Sequence, residues 1–481
     1  MLYDLNQGNV TSGLISRSGL PSPAVLTTAR CGGAARSIRR IVSMSSPAKT
    51  DVDRVPERSK MLSGNSFIKT PAFLLIMMTA LCVFFGLMII FSGQTDAYAA
   101  GSSRIDAETD SIVDQADGSA ITPHNAAAHQ MRGIWLCFED YPALGLSLSV
   151  DEAAYRSNAD RFLTEVQTFG INTVFLHARA SDDAFWRSGS FHASKYVGGD
   201  ETLPAAVAYD KFDPFGVFLE EAHRYGIAVH AWLNPYRIST DYYLDPGDDA
   251  STERVLTAVK ELLAYESNGE KVDGIHLDDY FYNAEVGYIR LGQPSDIYVI
   301  TDSEAAVPET GKYAVVTPAE KRENVNKMVK ELCRVVHEAG RTFGISPGGN
   351  YDNDMNDGAD IDTWLSEEGY IDYIVPQIYW SNQWGEGGDT AMFTDRLDLF
   401  LGKWKDREKQ KNKVDFYVGL ALYKTEEARA NDDPGWKMKS TNLKEQIAEL
   451  ESKGADGYVL FSARYLFESC AAQELFNIRD H

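Results

Sequence analysis

The segment "VDGIHLDDYFY" at residues 272–282 places two adjacent carboxylates, Asp278 and Asp279, directly after a short apolar run. The run at 274–277 is continuous rather than alternating, which is typical of a parallel strand that is covered on both faces. A buried strand followed at once by two acids predicts that the strand ends at the acids. The rest of the chain indicates the kind of sheet to which this strand belongs.

Seven more runs of this kind occur after residue 130, and amphipathic helix patterns separate them. Val325, Met328, Val329 and Leu332, for example, recur at helical spacing. A glycine closes most of these helices just before the next strand, because glycine tolerates the left-handed backbone that ends a helix. Eight β-then-α units over about 350 residues predict an α/β fold, a (β/α)8 TIM barrel. A doubly wound open sheet is the competing arrangement, but no glycine-rich phosphate fingerprint follows the first strand. The predicted strands are 133–138, 173–177, 227–233, 274–277, 342–345, 373–378, 416–422 and 457–461.

The first hundred residues differ in composition from the rest. The early part is rich in Ser and Arg, which predicts disorder. Residues 72–91 carry no charge and are long enough to span a bilayer, and "AYAA" at 97–100 resembles a signal-peptidase site. Lys69 precedes the apolar run, which predicts export of the C-terminal part and an extracellular or cell-surface location. Cleavage is favoured over a retained anchor, and a translation start at Met61 would give a signal of ordinary layout. The predicted division is a disordered leader (1–65), a signal peptide or transmembrane anchor (66–99), a linker (100–129) and a barrel (130–475).

Charge, cysteine and histidine content limit the classes of partner and cofactor that are expected. The chain carries a net charge of −24, and without its first 99 residues it keeps 36 basic and 65 acidic residues, a net charge of −29. Nucleic-acid phosphates would be repelled, so no nucleic-acid partner is expected, and membrane contact is expected only through the segment at 66–99. Cys137, Cys333 and Cys470 contain no CxxC pair, so the exported part is not a disulfide scaffold. The histidines show neither HxH nor HExxH spacing, so no metal or other cofactor is predicted, and zinc remains a weakly supported alternative.

Carboxylates, amides and aromatic rings follow the predicted strands, and long strand-to-helix connections lie at the same end of the barrel. Sugar recognition uses this mixture, since aromatic rings stack on CH faces while carboxylates, amides and arginines bind hydroxyls. Cleavage of a glycosidic bond needs one acid for the leaving oxygen and usually a second carboxylate as nucleophile or base. The sequence therefore predicts a glycosidase-like site with Asp278 and Asp279 as catalytic residues. The candidate substrate-binding residues are Glu139, Arg179, Asp183, Trp232, Asn234, Tyr236, Arg237, Tyr280, Asn350, Gln377, Tyr379 and Trp380.

The alternation of a strand separates the roles of the two acids. Neighbouring residues point to opposite sides, so both acids face a substrate only if the strand ends or bends between them. Asp278 is then the better nucleophile or transition-state stabiliser, and Asp279, already in the loop, the acid. Glu139 and Asp183 are reserve candidates for the second carboxylate, and Arg179 and Arg237 have the alternative role of pairing with Asp183 or Glu139 as scaffold.

Five motifs resemble one known family, the glycosyl-hydrolase-like ten family of bacterial cell-envelope barrel proteins. They are "RGIWL" (132–136), "AWLNPYR" (231–237), "DGIHLDDYFY" (273–282), "ISPGGN" (345–350) and "YIVPQIYW" (373–380). The resemblance extends from about residue 130 to the C-terminus. It implies a (β/α)8 hydrolase of cell-wall or extracellular polysaccharide, and members are linked to peptidoglycan strands stripped of stem peptides.

A more distant resemblance is to chitinase-type glycosidases. Asp273 and Asp278 match the first and last aspartates of their fourth-strand motif, and Tyr379 matches their sixth-strand tyrosine. His276 replaces the middle aspartate and Tyr280 stands where their acid glutamate would be, so the acid role falls to Asp279. The alternative from another class is a non-catalytic carbohydrate-binding barrel, which would keep the aromatic residues but not need the paired acids. A polysaccharide deacetylase is a third interpretation, weakened by the lack of a His-rich metal pattern. Oligomeric state is not indicated by the sequence.

Overall fold

A computed structural model of the chain describes residues 130–307, 310–405, 413–430 and 433–479. Within these ranges eight parallel strands close into a barrel, in which each strand pairs with its neighbours in sequence and the last pairs with the first. The (β/α)8 barrel expected from the sequence is therefore observed. The strands are β1 (Met131–Leu136), β2 (Thr173–Arg179), β3 (Ala228–Leu233), β4 (Gly274–Leu277), β5 (Thr342–Ile345), β6 (Tyr373–Ile374), β7 (Asp415–Leu420) and β8 (Gly457–Phe461).

Every barrel strand is followed by a helix that packs on the outside of the sheet. These are α1 (Glu152–Thr168), α2 (Pro214–Arg224), α3 (Asp249–Ala264), α4 (Pro318–Glu338), α5 (Ile361–Ser366), α6 (Met392–Lys405), α7 (Asn442–Lys453) and α8 (Ala472–Ile478). The start of α4 is fixed by a capping box, in which Thr317 and Glu320 exchange side-chain and backbone hydrogen bonds. The glycines predicted to close helices all have positive φ: Gly170, Gly226, Gly340, Gly369 and Gly454.

The long connections at the C-terminal ends of the strands carry small elements of their own. Short strands pair as Asp183–Ala184 with His192–Ala193, Tyr242–Leu244 with Gly287–Ile289, and Val299–Thr301 with Tyr313–Val315. Short helices lie at Asp140–Leu144, Ala205–Ala208, Tyr351–Asn356 and Gly435–Met438, and single 3-10 turns at Lys195–Val197, Glu304–Ala306, Leu422–Thr425, Glu427–Arg429 and Ala463–Leu466.

Large rings fill the barrel interior because glycines at the paired positions of adjacent strands leave room for them. A Cβ on Gly344 would lie 2.1 Å from the Tyr373 ring, and a Cβ on Gly274 would lie 2.8 Å from the His230 ring. The polar groups of Trp135, His230, His276 and Tyr373 in this interior contact one another. The Tyr373 hydroxyl lies 2.7 Å from His230 Nδ1 and 3.2 Å from His276 Nδ1, and Trp135 Nε1 donates to His276 Nε2 at 3.3 Å. Burial lowers the pKa of His230 to about 4 and that of His276 well below its usual value, so both are neutral core histidines.

Strand β6 is shorter than expected, ending at Ile374 instead of residue 378. Pro376 has no N–H, so the regular ladder cannot continue through it. Irregular pairing follows, in which Gln377 N donates to Pro347 O at 3.0 Å and Gly419 N donates to Pro376 O at 2.9 Å. The chain thus stays between β5 and β7 but is free to bend, and this bend brings the Gln377 side chain towards β4.

The predicted leader, the apolar segment at 72–91 and the linker lie outside the described residues. In the part of the chain that the structure describes, no helix combines the length and apolar character that crossing a bilayer requires.

Candidate active site

Asp278 is the first residue after β4 and still follows the strand. Its N–H donates to Leu233 O at 3.1 Å, and its side chain, 6% exposed, points into the barrel mouth on the same side as His276. Its Oδ1 accepts from Gln377 Nε2 at 2.8 Å and from the N–H of Asp279 at 2.9 Å. Two donors on one oxygen hold this carboxylate in place and favour its ionised form.

Asp279 lies beside Asp278, and the two carboxyl groups are close enough to hydrogen-bond. Burial is the largest cause of the raised pKa of both carboxyls. For Asp279, the charge of Asp278 raises the pKa further. For Asp278, the N–H of Asp279 and the Gln377 amide lower the pKa and so oppose burial. The hydrogen bond between the carboxyls raises the pKa of Asp279 and lowers that of Asp278. The pair therefore keeps a proton on Asp279 to higher pH than an ordinary aspartate would, and Asp278 ionises before Asp279 does.

A third carboxylate, Asp354, belongs to this site and was not among the predicted residues. It lies in the short helix Tyr351–Asn356 after β5, and its charge helps to raise the pKa of Asp279. Its Oδ2 is buried and has no hydrogen-bond partner among the described residues. Burial raises the pKa of Asp354 itself well above its usual value, with Arg396 opposing. The acid-rich run "YDNDMND" after the fifth strand was the signal available in the sequence.

Tyr379 and Trp380 lie on the β6 side of the pair. The Tyr379 ring packs against Phe461 with centroids 5.8 Å apart, and Asp278 and Asp279 both help to raise its pKa, after burial and Tyr423. The charges of both acids therefore act on the Tyr379 hydroxyl. Trp380 is half-buried, with the Arg396 guanidinium 5.1 Å from its ring centre.

Trp232 lies on the β3 side. Its ring stacks on His177 with centroids 3.6 Å apart and planes 13° apart. Its Nε1 is buried and makes no hydrogen bond of ordinary geometry within the described ranges, but it lies near enough to Asp278 to lower the pKa of that carboxyl.

Three of the predicted binding residues contact protein instead of an open cleft. Arg179 is fully buried and donates to Asn234 O (2.7 Å), Pro235 O (2.9 Å) and Asp182 Oδ1 (2.7 Å). Its acidic partner is thus Asp182, not the expected Asp183 or Glu139. The Asn234 side chain hydrogen-bonds to the His177 ring and donates to Ala180 O. Tyr236 is also fully buried. A side chain with no exposed surface has none to offer a sugar, so these residues position the loop.

The remaining predicted residues lie around the mouth. Glu139 Oε2 is 3.8 Å from an Arg429 nitrogen, and Asp183 accepts from Ser181 N at 2.9 Å. Asn350 begins the helix Tyr351–Asn356. The Arg237 guanidinium lies 5.6 Å from the Tyr280 ring centre.

Among the described residues no group of three or more His, Cys, Asp or Glu side chains is arranged to hold a metal ion. The cysteines Cys137 and Cys333 are buried and free, and Cys470 is exposed and free.

Comparison with known proteins confirms the family resemblance. Residues 237–438 match the family described as glycosyl hydrolase-like 10. Glycosyl hydrolase YngK of Bacillus subtilis is 27% identical over 356 residues, which cover 64% of this chain and 63% of the relative. Glycosyl hydrolase DigH of Escherichia coli K12 is 25% identical over 408 residues, 71% of this chain and 84% of the relative. The chain thus spans less than two thirds of the Bacillus relative. The family match and these relatives support a glycosidase-like function.

Two solved structures also align with the chain. The C-terminal domain of a putative chitinase from Desulfitobacterium hafniense is 12% identical, with a TM-score of 0.43 over 73% of this chain and 99% of that one. An endo-1,4-beta-mannanase from Rhizomucor miehei is 11% identical, with a TM-score of 0.43 over 73% of this chain and 94% of that one.

Proposed function

We propose that this chain is an exported glycoside hydrolase that cleaves glycosidic bonds in cell-wall polysaccharide of the peptidoglycan type and prefers strands without stem peptides. The observation that carries the proposal is the pair of adjacent, hydrogen-bonded carboxyls of buried Asp278 and partly buried Asp279 at the mouth of the barrel. Two acids whose surroundings push their pKa values apart are suited to acid catalysis near neutral pH.

In the proposed reaction Asp279 donates its proton to the glycosidic oxygen as the bond to the leaving sugar breaks. Positive charge then develops on the remaining sugar, and ionised Asp278, held by Gln377, stabilises it. A water molecule then bonds through its oxygen to the anomeric carbon and gives up a proton to the Asp279 carboxylate, which completes the hydrolysis and restores the acid. A nucleophile has to stand about 5 Å from the acid so that both flank the scissile bond. Carboxyls that hydrogen-bond to each other are closer than this, so we assign Asp278 the stabilising role.

The reserve carboxylates fit the role of a second catalytic acid less well. Glu139 faces Arg429, and Asp183 is held by the N–H of Ser181. Tyr379 and Trp380 beside the pair offer the aromatic surface that suits the CH faces of a sugar. The wall substrate is supported by the family resemblance, and export by the uncharged segment at 72–91.

The test is to incubate the purified protein with wall glycan, with and without stem peptides, and to identify the products by mass. Asp278→Asn and Asp279→Asn should each lower turnover by about 10²- to 10⁴-fold, while Asp160→Asn on the exposed face of α1 should have no effect. Full turnover in both site variants would refute the assignment. Binding of glycan by the native protein without any turnover would favour the non-catalytic barrel. Protease treatment of intact cells, followed by detection of the chain, tests the export.

A further inference from the structure

Arg237, from the turn after β3, extends its guanidinium among the ends of the first four strands. Its Nη1 donates to Ala180 O at 2.6 Å and to Ser181 Oγ at 3.2 Å, both on the segment that follows β2. The group lies 5.7 Å from the ring centre of Phe138, after β1, and 5.6 Å from that of Tyr280, after β4. These contacts fix the guanidinium within an aromatic pocket of the barrel mouth.

This cation is buried without an acidic partner. Arg237 is 6% exposed, and no carboxylate of the described residues forms an ion pair with it. The neighbouring arginines differ, since Arg179 pairs with Asp182 at 2.7 Å and Arg429 approaches Glu139 at 3.8 Å. A buried charge is unfavourable unless it is paired, so an unpaired guanidinium at a cleft is a site for an anion.

The anion site adjoins the acid pair. Tyr280, on which the guanidinium packs, directly follows Asp279 in the chain. The Tyr243 ring lies 6.0 Å from that of Tyr280, and its pKa is raised by burial and by Asp279 and lowered by Arg237. The acid pair and Arg237 therefore lie around the same two tyrosines. An anionic group bound to Arg237 would be part of the sugar whose glycosidic bond is cleaved.

We propose that Arg237 binds a carboxylate carried by the substrate sugar and so makes the enzyme selective for acidic glycans. This inference rests on the proposed glycosidase function. A guanidinium presents its N–H groups in a planar fork that matches a carboxylate, and its Nη2 and Nε have no partner among the described residues. Amidation of the carboxyl, by a peptide for example, removes the charge that the fork binds. The excess of acidic residues on the chain repels an acidic glycan in general, so its binding needs a local cation, and Arg237 supplies one beside the acid pair.

The experiment compares two forms of one substrate on the full chain: peptide-free wall glycan with free carboxylates, and the same glycan with its carboxyls reduced to alcohols. The native protein should have a kcat/KM about 10- to 100-fold higher on the carboxylate form, the size expected for a charge-assisted bidentate contact. Arg237→Gln should remove this preference by losing activity on the carboxylate form alone. The matched control Arg224→Gln removes an exposed arginine on α2 and should change neither rate.

Equal rates of the native protein on both glycans would overturn the proposal, and this comparison needs no variant. An equal loss on both glycans in Arg237→Gln, with a native thermal unfolding curve, would also overturn it.

Calorimetric binding of short oligosaccharides separates this proposal from the proposed function. Carboxylate-dependent binding that Arg237→Gln abolishes, in a protein that hydrolyses neither glycan, would refute the hydrolase and support the anion site. Turnover that does not depend on the carboxylate would support the hydrolase and refute the anion site.

Discussion

The hydrogen bond from Gln377 to Asp278 joins the two sides of the proposed site and can be removed with little change in volume by Gln377→Leu. Gln377 Nε2 donates to Asp278 Oδ1 at 2.8 Å and to Ser346 O at 3.1 Å. The first bond favours ionised Asp278, which the proposed reaction needs. Its loss should therefore raise the pKa of Asp278 and move the acidic limb of the pH–rate profile to higher pH.

The size of the shift follows from the strength of the bond. A hydrogen bond to a charged group contributes about 1.5–3 kcal/mol, and one pKa unit corresponds to about 1.36 kcal/mol. The acidic limb should thus move up by about one to two pH units. The alkaline limb reports the proton on Asp279. Asp278 is ionised on both sides of that second step, so the alkaline limb should move little.

The assay is kcat/KM on peptide-free glycan across the pH range, with Gln446→Leu as the matched control. Gln446 is buried where Gln377 is partly buried, and its Nε2 donates to the backbone oxygen of Trp380 at 2.8 Å, but no carboxylate of the described residues accepts from it. Both variants leave a buried carbonyl without its donor and should lose similar stability, whereas only Gln377→Leu should shift the acidic limb. An unmoved limb in Gln377→Leu, or the same shift in both variants, would refute the reasoning.

Two further predictions use charges around the barrel. Asp354→Asn removes a charge that raises the pKa of Asp279, so the alkaline limb should move to lower pH in the same assay, and an unchanged limb would exclude Asp354 from the site. At the opposite end of the barrel, hydrogen bonds to Asp273 (2.9 Å) and Glu270 (2.6 Å) raise the pKa of His223. Because the pKa of His223 is raised in the folded protein, the protonated ring stabilises the fold fully below about pH 6.5, the pKa of an unperturbed histidine. The stabilisation is lost as pH rises through the pKa that His223 has in the folded protein. His223→Gln should therefore lower the free energy of unfolding by about 1 kcal/mol in acid and by much less at alkaline pH, measured with urea, and a loss independent of pH would contradict this.

The strands could be predicted closely because their signals are local. Apolar runs bounded by glycine and polar residues gave β4, β5 and β8 with the bounds that the structure shows. Strand β6 was predicted too long because its apolar run continues past residue 374, where the regular β-ladder ends. Pro376 itself indicates an earlier end, because a proline cannot donate a hydrogen bond to a neighbouring strand.

The contents of the site could be predicted only in part, because position at a strand end does not determine direction. Asp278 and Gln377 come from strand ends 99 residues apart, and the barrel brings them to 2.8 Å. Tyr236 sits at an equally promising position, but the turn at Pro235 directs it into the protein. Asp354 lies in a helix beyond the strand end, so it is not among the residues that directly follow the strand.

The two adjacent acids meet because the β-ladder ends between them. The N–H of Asp278 still donates to β3, so this residue takes its inward direction from the strand. The N–H of Asp279 instead donates back to the Asp278 carboxylate, and its carbonyl accepts from Phe281 N at 2.8 Å, which is the hydrogen bonding of a tight turn. In an extended strand these side chains would point to opposite faces. One more residue of regular pairing would therefore place Asp279 against the outer helices and remove the acid from the cleft. The position of the last ladder bond thus decides whether the pair forms.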